Sequence, residues 1–340
     1  MDHALNPKIT VLMAVYNGEK FLKEAINSIL SQTFVEFEFL IINDGSIDGT
    51  DSIIKNLQDE RITYVINEKN IGCVQSFNKG MLLAKADIIA RMDADDISKP
   101  TRLKKQFDFL NDNPEIDIIG SHITLIDETS EKIGSHAYPI SNNEIKANLL
   151  FGSPFAHPSV MFKNDKFRIF NLSYLEEYKH AEDYDLWQRA LIKLKGANYD
   201  EPLLDYRISS SQISTIYLQE QQIVNWKIRV NALKILRLTS HTIDYLNILL
   251  KDSLELAQAE NFRHILNALF ELFEANDKLK VYDNHTLRKL MILKLEKTVT
   301  FYSSRSFKLF FLYRKSNVYK YNNLTTIYRI KCFIKQLIKT

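Results

Sequence analysis

Two short stretches hold residues that could do chemistry together, Asp93-Ala94-Asp95-Asp96 and Glu182-Asp183-Tyr184-Asp185. Closely spaced carboxylates offer hard oxygen ligands to a divalent cation, and a carboxylate in a pocket can serve as a general base. Neither pattern is diagnostic alone. About one Asp-x-Asp is expected by chance in a chain this rich in aspartate, and Asp183-Tyr184-Asp185 is a second copy. Acids are also favoured at a helix start by its dipole, so the second stretch could be a charged helix start and no more.

The elements around these acids decide their meaning. Lys8–Val15 is a short apolar, β-branched run that predicts a buried parallel strand. Phe21, Leu22, Ala25, Ile26, Ile29 and Leu30 then recur at helical spacing, predicting an amphipathic helix over Gly18–Gln32. The alternation continues with strands at Phe37–Ile42, Ile62–Ile66 and Asp87–Arg91, and helices at Asp48–Leu57 and about Val74–Ala84. Strands separated by helices of this length predict an α/β domain wound with right-handed crossovers. A helix over Pro100–Asn111 follows, then strand-like pieces from Glu115 to Tyr138, and a helix at Glu182–Lys193. After about residue 215 the pattern is helical, so a division is expected there: 1–215 as the α/β domain, 216–340 as a helical region.

In an open parallel sheet, ligands bind beyond the carboxyl ends of the strands. The four strand ends here carry Val15-Tyr16-Asn17-Gly18, Asn43-Asp44-Gly45-Ser46, Asn67-Glu68-Lys69-Asn70 and Met92-Asp93-Ala94-Asp95-Asp96. An aromatic ring, an isolated acid and an acid cluster therefore converge on one edge. The ring could stack on a base or pack in the core; Asp44 could accept from a base N–H or shape its turn. Three carboxylates at one strand end would repel unless a cation neutralises them. No G-x-G-x-x-G follows the first strand and no G-x-x-x-x-G-K-[ST] is present, which argues against a dehydrogenase and a P-loop enzyme.

Val11–Asn17, Asn43-Asp44-Gly45-Ser46, Asn70-Ile71-Gly72 with Asn78, Ala90–Asp96 and Glu182–Trp187 together resemble the inverting family-2 glycosyltransferases of bacterial surface-polysaccharide type. The resemblance covers roughly residues 8–215. It implies the GT-A fold, a Rossmann-like, mainly parallel sheet flanked by helices, with a helical C-terminal extension. It further implies metal-dependent transfer of a single sugar from a nucleotide sugar, UDP-linked by expectation, to a hydroxyl of a glycan or polyprenyl-linked acceptor. By the same resemblance, Ala14, Val15 and Tyr16 would form the wall against the uracil, with Asp44 on its N3–H and Asn70 near the nucleotide. Asp93 would lie by the ribose, and Asp95 would bind Mn²⁺ or Mg²⁺. Arg91 and Asn78 would contact the donor sugar or support the site. Asp183 would be the base, with Glu182 beside it as an acceptor-binding or alternative base residue.

The sequence departs from the family in places. Processive members carry Gln-x-x-Arg-Trp and membrane spans; here Gln222-Ile223-Val224-Asn225-Trp226 has Asn in place of Arg, and no apolar run approaches the roughly 18 to 20 residues a span needs. Tyr206-Arg207-Ile208-Ser209 has Ser where many relatives have His, leaving Arg207 as a candidate diphosphate contact. His157 lies where relatives place a loop near the acceptor. Competing readings are a nucleotidyltransferase, for which Tyr16–Lys20 is a poor version of the required loop, and a non-catalytic nucleotide-sugar or glycan binding protein.

Charge is uneven. The chain has 44 Lys and Arg against 42 Asp and Glu, yet from Lys297 to Thr340 there are ten basic residues and no acid. Residues 1–296 therefore carry a net charge of −8. Ten Phe or Tyr are interleaved with those ten basic residues. Such a mixture suits an anionic membrane surface, a helix packed on the protein, or single-stranded nucleic acid. Peripheral attachment at the cytoplasmic face of a membrane is the expectation, with no nucleic-acid partner. The two cysteines, Cys73 and Cys332, lack metal-type spacing and fit reduced thiols in the cytoplasm. No basic-then-apolar leader is visible at the N-terminus.

Overall fold

The computed structural model describes residues 7–209, 217–251, 259–303 and 307–321. The chain forms two compact units, Met1–Ile145 with Ser153–Asn225, and Lys146–Gly152 with Trp226–Thr340.

The first unit opens with β1 (Ile9–Val15), α1 (Leu22–Leu30), β2 (Phe37–Asn43), α2 (Thr50–Lys55), β3 (Ile62–Ile66), α3 (Cys73–Leu83) and β4 (Ile88–Met92). Ile9, Val11, Met13 and Val15 are all buried, as are the seven residues of β2, because helices cover both faces of a parallel sheet. The register is the consequential feature. Val15 lies beside Asn43, Asn43 beside Ile66 and Met13 beside Met92, so four carboxyl ends stand level along one edge.

Beyond β4 the chain adds β5 (Ile97–Ser98), α4 (Arg102–Asp112), β6 (Ile118–Ile126), β7 (Lys132–His136), α5 (Asn142–Asn148), β8 (Met161–Lys163), α6 (Asn164–Ile169), α7 (Glu182–Ala190) and β9 (Gly196–Arg207). Among the described residues the strand order is β3-β2-β1-β4-β8-β6-β9-β5, with β7 on the side of β6. The sheet is thus parallel through β3-β2-β1-β4 and again at β6–β9, while β8 runs antiparallel to both its neighbours and β5 antiparallel to β9. The mainly parallel sheet expected from the sequence holds for β3-β2-β1-β4 and becomes mixed past β4.

The second unit is helical, built from α8 (Leu218–Lys234, which begins in the first unit), α9 (Ser240–Leu250), α10 (Ala259–Leu279), α11 (Asn284–Ser303) and α12 (Phe307–Lys315), closed by a 3₁₀ turn at Asn317–Tyr321. Phe262, Ile265, Leu266, Leu269, Leu272 and Phe273 form a stripe along α10 at helical spacing and meet Leu246, Met291 and Leu295 in one core. Leu309, Tyr313 and Val318 are buried in that same core. Residues 297–340 are therefore not one membrane-facing tail throughout: Leu309, Tyr313 and Val318 face inward, as the apolar residues of a packed helix do. Residues 304–306 and 322–340 lie outside the described residues. Among the described residues no helix is long and apolar enough to cross a membrane.

Candidate active site

The loop after β1 turns at Asn17, whose φ of 51° is a left-handed value that asparagine tolerates. The backbone N–H of Asn17 donates to Ser46 Oγ at 2.9 Å, and Ile47 N–H donates to Asn17 Oδ1 at 3.0 Å. The first two strand-end loops are thereby tied together. Tyr16 precedes this knot and is 47% exposed, so the structure uses its ring outside the core. Ala14 and Val15 form the strand end behind it.

Asp44 is buried and strongly committed. Its carboxylate accepts from Asn67 Nδ2 at 2.8 Å and from the backbone N–H groups of Ile71 at 3.0 Å and Gly72 at 2.8 Å. It is thus the organiser of the loop after β3, and of a carboxylate's roughly four acceptor positions about one is left for a ligand. Asn70 Oδ1 accepts from Gly72 N–H at 3.0 Å and helps hold the same loop. Gly45 has φ of 70°, and a side chain there would lie 2.6 Å from the Lys69 carbonyl carbon, so this crossing of loops requires glycine.

The acid turn after β4 is the densest charge in the unit. Carboxylate oxygens of Asp93, Asp95 and Asp96 lie within 4.8 Å of one another. Asp96 is buried, and its carboxyl is raised well above the usual range by burial and then by the charges of Asp95 and Asp93. Its Oδ1 accepts from Arg207 N–H at 2.9 Å, while its Oδ2 is buried with no hydrogen-bond partner among the described residues. Three hard oxygen donors, one of them orphaned, fit a divalent cation such as Mn²⁺ or Mg²⁺.

Two arginines frame the turn. Arg91 is buried in β4 with its guanidinium 4.4 Å from the Phe77 ring centroid and ion-paired to Asp93. Burial opposes its charge, but the carboxylates around it, Asp93 first, raise its pKa beyond the ordinary arginine value. Arg207, at the end of β9, is fully buried: Nε donates to the Asp95 carbonyl at 2.8 Å, Nη1 to the Asp127 carbonyl at 2.9 Å, and Nη2 to Glu24 at 2.6 Å. Arg207 is therefore a tie beneath the acid turn and not the exposed diphosphate contact that the sequence allowed.

Glu182 and Asp183 open α7. The cap position is Ala181, with no side-chain capping bond, and Glu182, Asp183 and Asp185 lie in the first turn, where acids are favoured. Asp183 Oδ2 accepts from Ser153 Oγ at 3.1 Å, and burial followed by the neighbouring Glu182 charge pushes its carboxyl up to about 6. Glu182 Oε1 accepts from the Cys73 thiol at 3.4 Å; its Oε2 is buried with no partner among the described residues. Tyr174 lies between the two acid groups, its hydroxyl in the field of Arg91, Asp183, Glu182 and Asp93.

Asn78 and His157 both fasten the loop that carries Tyr174. The Asn78 amide donates to the Tyr174 carbonyl and accepts from Tyr174 N–H, both at 2.9 Å, which fastens α3 to the loop ahead of α7. His157 shares a 2.8 Å hydrogen bond with the Tyr174 hydroxyl among the rings of Phe77, Tyr174 and Trp187. Burial, with Arg91 second, holds it neutral. Ser153, Cys73 and Tyr174 were not singled out from the sequence. Each is remote in the chain from the acid it serves, and no periodicity marks it.

A mixed sheet of this strand order, with acids gathered beyond β4 and an acid pair opening a later helix, defines a GT-A glycosyltransferase domain. The comparisons agree. Residues 10–178 match the family model described as Glycosyl transferase family 2. The chain is 35% identical over 230 residues to the O-antigen biosynthesis glycosyltransferase WbnJ of Escherichia coli, covering 65% of this chain and 87% of that protein. The fold matches S. aureus TarS in complex with UDP-GlcNAc at a TM-score of 0.57 and 20% identity, over 87% of this chain and 90% of that one. It also matches the mannosyltransferase PcManGT of Pyrobaculum calidifontis, in complex with GDP-Man and Mn²⁺, at a TM-score of 0.51 and 15% identity, over 97% and 87%. The chain belongs to glycosyltransferase family 2, and it is a glycosyltransferase.

Proposed function

We propose that this enzyme transfers a single sugar from a UDP-sugar to a hydroxyl of a glycan or lipid-linked acceptor, with inversion and with a divalent cation. The observation that carries the reading is Asp183, in the first turn of α7, with its carboxyl pushed up to about 6 and its neighbours Ser153 and Glu182 fixed. A carboxylate of that basicity is ionised at neutral pH and is a better proton acceptor than an ordinary aspartate. Asp183 takes the acceptor proton as that oxygen forms its bond to the anomeric carbon. The bond from the same carbon to the nucleotide diphosphate breaks on the opposite face, so an α-linked donor yields a β-linkage.

Asp95, with Asp93 and Asp96, would hold the cation, which supplies positive charge to the leaving diphosphate when bound. Tyr16 and the Ala14–Val15 strand end would receive the uracil, and Asp44 retains one acceptor position for its N–H. Arg91, ion-paired to Asp93, would lie on the donor-sugar side. In this reading residues 1–215 carry transfer and 216–340 form a helical region whose basic end meets the cytoplasmic face of a membrane. Because Leu309, Tyr313 and Val318 are buried in the helical core, that contact is tested by truncation after Tyr321: full flotation of the shortened chain with anionic vesicles would refute a role for the last residues. The transfer reading is tested with a panel of nucleotide sugars and Mn²⁺, scored for nucleotide release. Release from a UDP-sugar that is abolished in Asp183→Asn supports it; release from no donor, or undiminished release in the variant, sinks it.

A further inference from the structure

The helical unit contains a cavity of about 560 Å³ on the first three turns of α11, within the size range of small-ligand sites. His285, Arg288, Lys289 and Ile292 recur at helical spacing and so line one wall, while Lys320 and Tyr321 close the other. The cationic groups are held in place. The Arg288 guanidinium is 4.4 Å and Lys320 Nζ 4.8 Å from the Tyr321 ring centroid, and the same Nζ is 4.8 Å from the Phe270 ring. Such contacts restrain long side chains that would otherwise wander in solvent.

Charge is not balanced within the pocket. Arg288 is ion-paired to Asp277, and Asp283, next to His285, is occupied by the backbone and hydroxyl of Thr286. Lys289 and Lys320 have no carboxylate partner among the described residues, and no acid follows Glu296 in the sequence to provide one. Ile292 and Leu293 give the cavity an apolar side. Two exposed ammonium groups over an apolar wall are the chemistry of a ligand with an anionic head and a greasy body.

We infer that this pocket binds a phosphate-bearing amphiphile, with the phosphate on Lys289 and Lys320 and the apolar portion against Ile292, Leu293 and Tyr321. It places headgroup recognition in the folded helical unit, separately from the last residues and from sugar transfer. The test uses the full chain and measures binding to phosphatidylcholine vesicles doped with phosphatidic acid, with pure phosphatidylcholine vesicles and inorganic phosphate as separate arms.

Both lysines are exposed, so the Lys289→Glu, Lys320→Glu double variant keeps its fold and its nucleotide release. It is expected to lose about tenfold or more of its affinity for doped vesicles, each Lys near an anionic surface being worth about 1 kcal/mol. A double variant of equal charge change at the exposed Lys234 and Lys278, both to Glu, should lose far less. Saturable inorganic phosphate binding that depends on the same two lysines supports the site with a free phosphate as its source. Equal losses in the two double variants would show mere surface electrostatics and overturn the proposal. So would binding to neither probe, or binding abolished by truncation after Tyr321 and untouched by the pocket variant.

Discussion

The two acid groups of the α/β unit differ in what stands opposite them. Asp93, Asp95 and Asp96 sit among arginines: Arg91 pairs with Asp93, and Arg207 reaches the Asp95 carbonyl with its guanidinium and the Asp96 carboxylate with its backbone N–H. Glu182 and Asp183 face a thiol and a hydroxyl, which donate hydrogen bonds but bring no charge. Fixed cations keep the first group compact while leaving it short of positive charge, a condition that suits a bound metal. Neutral donors do little to offset burial, and burial first, with the Glu182 charge second, is what raises the proton affinity of Asp183. The same residue type is thus prepared for two tasks by its partners.

The largest expected effect falls on the second group. Asp183→Asn should lower transfer about 10²- to 10⁴-fold, the usual contribution of a general base, while donor binding persists in a calorimetric titration. Loss of donor binding instead would move Asp183 to the nucleotide side and erase the contrast. The same substitution should stabilise the fold. The folded carboxyl, at about 6, binds its proton more tightly than the unfolded one at 3.8, so ionisation destabilises the native state fully above pH 6 and not at all below 3.8. The melting temperature of the variant should therefore exceed that of the parent at pH 7.5, with the gap closing as pH falls through 6 toward 4.

Asp95→Asn should cost roughly a hundredfold in activity and show its loss chiefly as a raised Mn²⁺ requirement, since metal polarisation is worth several kcal/mol. Activity unaffected by chelators in the parent would remove the cation from the account. Arg207→Leu tests whether the arginines are structural: leaving the Asp95 and Asp127 carbonyls without their buried donor should cost about 1–3 kcal/mol in denaturant unfolding, the exposed Glu24 adding little. The smallest change is Glu182→Gln. It keeps the acceptor for the Cys73 thiol and removes the charge, so the acid limb of the pH–rate profile should move downward from about 6.

What the sequence revealed follows from what is local. The β1–β4 strands, their helices and the level strand ends were legible because apolar runs and helical spacing are properties of ten or so consecutive residues. The Asp93–Asp96 cluster was legible because its members are adjacent. Antiparallel β8 escaped, being three residues long and defined by its neighbours β4 and β6 and not by any pattern of its own. The bonds that Arg207 and Asn78 make inside the protein were not legible for a related reason. A polar residue near a site is equally consistent with touching substrate or holding a loop, and only the partners at Glu24, Asp127 and Tyr174 separate the two. The aromatic-basic region was ambiguous in composition alone, until Leu309, Tyr313 and Val318 were found inside a core.

Arg207 has one more implication, for the order in which the enzyme comes into being. Its side chain joins Glu24, Asp95, Asp127 and Ser130, four places in a chain made from the N-terminus onward. A nascent chain that has emerged as far as β6 already possesses the acids but lacks the arginine that seats them. The unit therefore matures late: until β9 has left the ribosome, the acid turn has no floor, and a prematurely terminated product would carry the recognisable motifs with no finished site.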